Sequence, residues 1–455
     1  MITKARALLL AAAFALSACA TSETGWTGAR PSASPIEFGL RPQGGTAYDN
    51  GDLAALFLRL AFEMETGQSL ASSNRLEAPV LLVPDPAFGD ALDSFLDGFS
   101  NWMILHAGLE MRRAPAGQPG APHAPDAAGA AGAAAVAAKN AGAGGQVVGK
   151  AAGSIIALRP VAAAWRDRAA ADFACFVLYG PPIDPAELRG RAAIDAHFDR
   201  WTDSGIVTVY LPTDLEGEQL ASCLYEEILQ GLGVANDIPD LLESIFNDDE
   251  IHHQPTALDM LMVRTLYAIG PEAARDPDRA YVEARRALEV LNPAGNAPDA
   301  QRLTLVTRDE ALAYTRAVGL AMMRDGSGRR QLSPGETAEI VRAIAGKPAA
   351  LRCSGLFLHA QVLRRDERPE ARRVLETAAD ACTEAAPEDT LRAALIDAER
   401  AILLVREQRR REALDAIQGV PSVLARHGQA ELATEIAAVG IVLDSIDDVP
   451  GGGGG

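Results

Sequence analysis

The sequence is short of basic residues. It has 42 Lys and Arg against 61 Asp and Glu, which gives a formal net charge of −19 at pH 7. Proteins that bind nucleic acid present clustered Lys and Arg to the phosphates, so this composition excludes nucleic acid from the expected partners. Basic partners and cations are favoured. The 455 residues, 48% of them hydrophobic, exceed the roughly 250–300 residues that one core supports, and two or three domains are expected.

The N-terminal apolar run, residues 7–16, is too short to cross a bilayer as a helix and is typical of a secretory signal. It leads into Leu-Ser-Ala-Cys ending at Cys19, which resembles the lipobox of bacterial lipoproteins, whose cysteine is acylated before residues 1–18 are removed. Because Ala20 and not Asp follows, the resemblance implies an outer-membrane lipoprotein of the bacterial cell envelope, facing the periplasm. The alternative is an ordinary cleavage site with an incidental cysteine. Residues 19–45, rich in Ser, Gly, Pro and Thr, are expected to be a flexible tether.

Cysteine is scarce, with five in the whole chain. Four remain once Cys19 is assigned to the lipid, and in an oxidising envelope four cysteines suggest two disulfides with three alternative connectivities. The four are Cys175, Cys223, Cys353 and Cys382.

Residues 46–270 alternate between helix and strand signals and predict an α+β domain. Apolar residues recur at helical spacing after Asp49 and Asn50, either of which can cap the helix, and residues 92–111 predict a second helix. Residues 114–153 are 30 of 40 Ala, Gly or Pro, which is typical of a disordered insertion. Strands of a mixed sheet are predicted at 77–83, 154–158, 173–179 and 205–211.

The segment CLYEEILQGLGVAND, residues 223–237, follows the last predicted strand. Its spacing is that of the zinc-protease motif H-E-x-x-H-x-x-G-x-x-H, in which two histidines one helical turn apart hold the metal and the glutamate activates water. Here Glu226 and Gln230 stand at those two histidine positions, while Glu227 keeps the glutamate. The frame of the motif is present without its nitrogen ligands.

Further elements follow at the spacing of the matrix-metalloprotease group of zincins. Gly233 can take the left-handed conformation that returns Asn236 or Asp237 towards the helix. Ser244-Ile245-Phe246 matches the Ser-Ile-Met turn beneath the metal in that group, and residues 258–267 match its closing helix. The first domain therefore resembles a degenerate zincin.

The same stretch resembles a bacterial family known as domain of unknown function 2927, over roughly residues 46–270 and most specifically over the second half of that range. Since the family has no assigned activity, the resemblance implies no reaction, and the chemistry depends on the residues themselves. The matching residues are Cys223, Glu226, Glu227, Gln230, Leu232, Gly233, Asn236, Asp237, Ser244, Ile245, Phe246, Asn247, Asp248, Asp259 and Tyr267.

The candidate site consists of Glu226, Glu227, Gln230, Asn236 and Asp237. An all-oxygen set suits Ca, Mg or Mn better than zinc, and residues 214–250 contain 11 acidic residues and no Lys or Arg. A hard-cation site is one option, and a metal-dependent hydrolase with Glu227 as general base is another. The favoured interpretation is a polar cluster without metal or cofactor, because both histidine positions are replaced together. His252 and His253 are more typical of solvent-facing residues than of displaced ligands.

Residues 271–447 are dominated by helix-forming residues and predict an all-α domain of helical hairpins. The segments RRDERPEARRVLETA and REQRRREALDAI recur at about 42 residues, with Ala371 corresponding to Ala413. This resembles a degenerate tetratricopeptide-like array, whose usual period is about 34 residues. Residues 448–455 are expected to be a flexible tail.

The predicted elements favour two local disulfides. Cys175 lies in a strand of the sheet on which the motif helix is expected to pack, so a bond to Cys223 would pin that helix; two separate buried thiols are the alternative. Cys353 and Cys382 lie 13 and 16 residues on either side of Asp366, in the predicted turn of one hairpin, and should face each other.

Three interpretations of function follow. The favoured one is an envelope lipoprotein, held to the membrane by lipid, whose non-catalytic zincin-like domain binds a protein or peptide beside a helical scaffold. The second is a metal-dependent peptidase or hydrolase. The third makes the helical array the functional part. A retained peptide is expected along the strand at 205–211, facing Glu227, by strand addition.

The lipobox resemblance predicts that the protein fractionates with outer membranes. Substitution Cys19→Ser removes the acylated thiol and should release the protein or block its maturation, which membrane fractionation and gel mobility measure. Unchanged membrane association of the variant would contradict the lipid anchor.

Overall fold

The computed structural model describes ten parts of the chain: 46–64, 68–114, 154–161, 175–183, 197, 204–213, 215–247, 251–314, 334–365 and 367–445. These residues form an α/β region with a central sheet and a C-terminal region that is all helical. The predicted signal at 1–18, the tether at 19–45, the insertion beyond residue 114 and the tail at 448–455 lie outside the described residues.

A mixed sheet lies at the centre of the first region, as predicted, and has five strands among the described residues. Its order is β2-β1-β3-β5-β4, with β4 antiparallel to β5 and the other pairs parallel. Within the described sheet, β2 and β4 are therefore the edges. The strands are β1 (Val80–Pro84), β2 (Met111–Arg113), β3 (Ser154–Val161), β4 (Phe176–Tyr179) and β5 (Ile206–Pro212).

The strand predicted at 205–211 exists as β5, but it is an interior strand. Ile206 is aligned with Ile155 of β3, and Val209 is aligned with both Leu158 of β3 and Val177 of β4. A strand that is hydrogen-bonded on both sides has no row of unpaired main-chain groups with which a peptide could pair. The expectation that a peptide pairs with this strand is therefore wrong, and the edge on that side of the described sheet is β4.

The described part of the first domain also contains five α-helices. Asp49 caps the first of them by accepting hydrogen bonds from the amides of Gly51 (2.8 Å) and Asp52 (3.2 Å), as predicted. The second ends before residue 111, because Gly108 takes a left-handed conformation (φ 65°) and its amide donates to Ile104 O; the chain then forms β2. The helices are α1 (Asn50–Phe62), α2 (Asp93–Ala107), α3 (Gly217–Gly231), α4 (Ala257–Ala268) and α5 (Pro277–Leu291).

The core of the α/β region extends past the predicted boundary at residue 270. Ala284 and Leu288 of α5 are fully buried in that core. Asn292, also fully buried, donates a hydrogen bond of 2.9 Å to Asn50 Oδ1 at the start of α1. Helix α5 thus closes the first domain and does not begin the second.

The C-terminal region repeats one kind of turn between its helices. The amide of Arg368 donates to Leu363 O (2.8 Å) and the amide of Arg409 donates to Leu404 O (2.9 Å). The residue before each arginine has a positive φ, 57° and 62° respectively. The helices are α6 (Pro334–Ala345), α7 (Ala349–Arg365), α8 (Ala371–Ala385), α9 (Thr390–Arg406), α10 (Arg410–Ile417), α11 (Val420–Arg426) and α12 (Ala430–Ser445).

Ala371 and Ala413, the pair matched in the sequence, are both fully buried near the start of a helix. Among the described residues, no helix is both long enough and apolar enough to cross a membrane.

Both favoured disulfides are present. Cys175, just before β4, is bonded to Cys223 in the middle of α3, with 5.8 Å between the Cα atoms. Cys353 of α7 is bonded to Cys382 of α8, with 4.5 Å between the Cα atoms. The first bond ties the edge strand to the motif helix, and the second closes one helical hairpin.

A buried histidine makes the stability of the helical region depend on pH. His359 in α7 is 3% exposed, and neither ring nitrogen has a hydrogen-bond partner among the described residues. Burial disfavours the charged imidazolium and lowers the pKa of His359 from 6.5 to about 4.

Below pH 6.5 the unfolded chain therefore binds a proton that the folded chain refuses until about pH 4. The free energy of unfolding should fall across this window by on the order of 3 kcal/mol. His359→Leu removes the titrating group without leaving an unpaired partner, so its stability should lack this part of the pH dependence in urea titrations at pH 7 and pH 4.5. Parallel pH profiles for the two proteins would contradict the account.

Candidate functional site

Helix α3 carries the motif and is buried on most of its surface. Its close packing on the sheet depends on Gly231, where an added Cβ would lie 2.9 Å from Val207 Cγ1 of β5. On another face, Tyr225 packs edge-on against Phe95 and Phe99 of α2, with ring centroids 5.0 and 5.8 Å away. The polar residues of this helix therefore lie within a largely apolar setting.

The polar side chains of the motif differ in how deeply they are buried. Glu227 is 5% exposed and Gln230 is 4% exposed, whereas Glu226 on the same helix is half-buried. A buried polar group without hydrogen bonds costs about 1–3 kcal/mol, so the surroundings of Glu227 and Gln230 decide what the site can do.

Gln230 is held by Asp237. Its amide Nε2 donates to both carboxylate oxygens of Asp237, at 3.0 and 2.9 Å. Because an ionised carboxylate only accepts hydrogen bonds, the group that faces it must be the NH2 of the amide. The side chain at the second histidine position of the frame thus presents a donor to a neighbouring carboxylate.

Asn236, at the third ligand position, is held by helix α1. Its side-chain Nδ2 donates to Arg59 O (3.0 Å), and its main-chain amide donates to Leu60 O (3.2 Å). Asn236 is 4% exposed. Asn236 thus holds the loop after α3 against α1, whereas Asp237 is the residue that accepts hydrogen bonds from Gln230.

Gly233 makes this return of the chain sterically allowed. Its φ is 116°, and an added Cβ would lie 2.5 Å from Ser73 O and 3.1 Å from the main chain of Arg75. Only glycine meets both conditions, since other residues rarely adopt this φ and all carry a Cβ. Gly233 follows the end of α3 directly and has the positive φ that its predicted role as a turn requires.

Two tyrosines surround the C-terminal end of α3. The hydroxyl of Tyr179 in β4 donates to Gln230 O (2.9 Å), and the hydroxyl of Tyr267 in α4 donates to Leu232 O (3.4 Å). Burial, with a smaller contribution from the nearby Glu227 charge, raises the pKa of Tyr179 above its ordinary value. Glu227 thus lies beside a phenol that stays protonated.

The predicted turn at Ser244, Ile245 and Phe246 is bound to α4 through Asp259. The Asp259 carboxylate accepts hydrogen bonds from Ser244 Oγ and from the amides of Ile245 (3.1 Å) and Thr256 (2.6 Å). Burial raises the pKa of Asp259, and these hydrogen bonds oppose that rise. The turn packs its buried Phe246 side chain into the core of the first domain.

Two histidines, His252 and His253, follow the turn. His252 Nε2 is 3.0 Å from Leu242 O, and both rings are half-buried. In the described part of the chain, which omits 248–250, no three side chains of His, Cys, Asp or Glu are grouped to hold a metal ion.

The sequence identified the segment that carries the candidate site but not several of the residues that contact it. Tyr179, Arg59 and Arg75 come from the sheet edge, α1 and the loop after it, and the Arg75 guanidinium stacks 5.1 Å from the centre of the Tyr267 ring. Nothing in the local pattern distinguishes Arg59 or Arg75 from surface arginines. Tyr179 had one signal, as a polar aromatic at the end of an apolar strand.

Comparison with known proteins identifies one domain family in the chain. A family described as Protein of unknown function (DUF2927) matches residues 150–270. The match spans β3, β4, β5, α3 and α4 and confirms the second half of the expected range. No curated protein and no solved structure gives a match to the chain.

The close approach at Gly233 yields a stability prediction. Gly233→Ala should cost about 3 kcal/mol or more, because the substitution adds a clash with main-chain atoms to an unfavourable φ. Gly108→Ala is the matched control: it also has a positive φ, 65°, but no atom lies within 4 Å of the place that an added Cβ would take, and it should cost about 1–2 kcal/mol. Chemical denaturation measures both, and equal losses would contradict the packing argument.

Proposed function

We propose that the first domain has a zincin-like frame without zinc chemistry and binds an extended protein or peptide segment. The helical region serves as a tetratricopeptide-like scaffold beside it, and the whole is an envelope lipoprotein anchored through Cys19. The observation that carries the proposal is the two-pronged hydrogen bond from Gln230 to Asp237.

The frame is supported by the order and placement of its parts. A mixed sheet leads through β5 into α3, Gly233 turns the chain, and the Ser244 turn is fixed to α4. In proteases of the zincin fold the same parts follow one another. The likeness is one of architecture and does not extend to catalysis.

The polar side chains do not fit zinc. Zinc binding needs lone pairs, normally from His, Cys or carboxylate groups, and here the second and third ligand positions of the frame direct NH2 groups at Asp237 and at Arg59 O. These NH2 groups are therefore hydrogen-bonded to acceptors within the protein. No hydrolytic step is therefore assigned to Glu227, and a hard cation finds no support in the orientation of Gln230 or Asn236.

The outer edge of β4 supports peptide binding by strand addition. The amide of Gly180 donates inward to Ile206 O (2.7 Å), so the alternation of an antiparallel ladder turns the amide of Val177 outward. An edge strand with outward amides and carbonyls is a template for another extended segment. The Cys175–Cys223 disulfide anchors the start of this edge to α3.

A binding experiment tests this proposal. The probe is a tryptic digest of denatured casein, and the expected result is slower hydrogen exchange at the Val177 amide without cleavage of the peptides. Val177→Pro removes the outward amide, which an edge strand tolerates, and should abolish the protection along β4. Val177→Ala keeps the amide and should preserve binding.

Two results would overturn the proposal. Equal binding by the Pro and Ala variants would rule out strand addition at β4. Peptide hydrolysis that Glu227→Gln abolishes would favour the alternative, a peptidase with Glu227 as general base.

A further inference from the structure

The two regions of the protein meet at a short stretch next to the candidate site, residues 241–247 and 251–254, here called the junction segment. Leu242 and Ile251 are 6% and 2% exposed, and both are buried in the hydrophobic core of the helical region. Ile245 and Phe246 of the same segment are buried in the core of the first domain. The junction segment thus contributes to two cores at once.

A buried arginine from the helical region holds one end of the junction segment. Arg392 of α9 is 1% exposed, and its Nη2 donates to Leu242 O (3.1 Å), two residues before Ser244. The guanidinium is fixed by Asp389, whose carboxylate accepts from Arg392 Nε (3.2 Å) and from the Arg392 amide (3.0 Å). A paired and fully desolvated guanidinium has little freedom to move away from its carbonyl.

A buried glutamine holds the other end. Gln429 is 1% exposed, and its Nε2 donates to Ile251 O (2.7 Å). Its main-chain amide donates to Leu424 O (3.0 Å) and closes the turn between α11 and α12. The two carbonyls that flank the Ser244 turn are therefore both bonded to rigid parts of the helical region.

The motif helix is held by the same region. Glu218, in the first turn of α3, accepts hydrogen bonds from the amides of Ala430 (2.6 Å) and Glu431 (3.1 Å), the first residues of α12. A carboxylate at a helix N-terminus satisfies otherwise unpaired amides and complements the helix dipole. The start of α3 and the turn after it are thus bonded to one rigid neighbour.

We propose that the helical region is an intramolecular clamp that sets the conformation of the junction segment, so that the Ser244 turn is ordered only while the two regions are docked. Arg392 and Gln429 are its positioning residues. The clamp couples the docking of the helical region to the order of the Ser244 turn, and this coupling is independent of the peptide-binding proposal.

Hydrogen exchange in the full-length protein tests the clamp. The amides of Ile245 and Phe246 donate to Asp259 Oδ2 and Ser244 Oγ, so their exchange rates report the order of the turn. Arg392→Met and Gln429→Ala should each accelerate exchange at these two amides by about tenfold or more, because local opening no longer breaks a buried hydrogen bond. The amides of β3 and β5 should change far less.

Arg411→Met and Gln418→Ala are matched controls on exposed positions of the helical region and should leave the turn unchanged. The Gln429 variant keeps the buried ion pair, so it reports on the clamp even if the Arg392 variant fails to fold. Unchanged exchange at Ile245 and Phe246 in the folded variants would overturn the proposal. Equal acceleration in β5 would overturn it as well, because the effect would then be general unfolding.

Discussion

The burial of helix α3 is the constraint on which the rest of the first domain depends. The helix lies between the sheet, α2 and the loop that follows it, so Glu227 and Gln230 are almost completely removed from water. Buried polar groups need partners inside the protein. Asp237 and Tyr179 meet this need for Gln230, and the turn at Gly233 brings Asp237 back to the helix. In a site built in this way, the side chains are held rigidly and the amide donors are already hydrogen-bonded within the protein.

The same requirement applies to a second buried polar group, Asp259 in the first turn of α4. Asp259 is buried in a capping box and binds Ser244 Oγ and two main-chain amides. It bonds the Ser244 turn to α4, and Arg392 and Gln429 of the helical region bond the carbonyls that precede and follow this turn. Asp237 and Asp259 thus act as structural connections, the first at the C-terminal end of α3 and the second between the Ser244 turn and α4.

Local signals in the sequence were enough to predict most of the secondary structure of the first domain and the segment that carries the candidate site. Apolar periodicity located α1, α2 and four of the five strands, and the spacing after Glu227 identified the turn at Gly233. Contacts between residues distant in the sequence could not be predicted from these local signals. The position of β5 inside the sheet depends on β4 folding back against it, and the burial of α5 beside α1 depends on contacts between residues more than 200 positions apart. The direction of the Gln230 amide depends on Asp237, which local periodicity does not reveal.

The central claim is that the side chains of Gln230 and Asn236 are held by hydrogen bonds within the protein and do not ligate a metal. Metal content of the purified full-length protein, measured by mass spectrometry after dialysis against trace zinc, calcium, magnesium and manganese, tests it most directly. The account predicts much less than one ion per chain, with no change on Gln230→Ala. One tightly held ion per chain that is lost in this variant would contradict it.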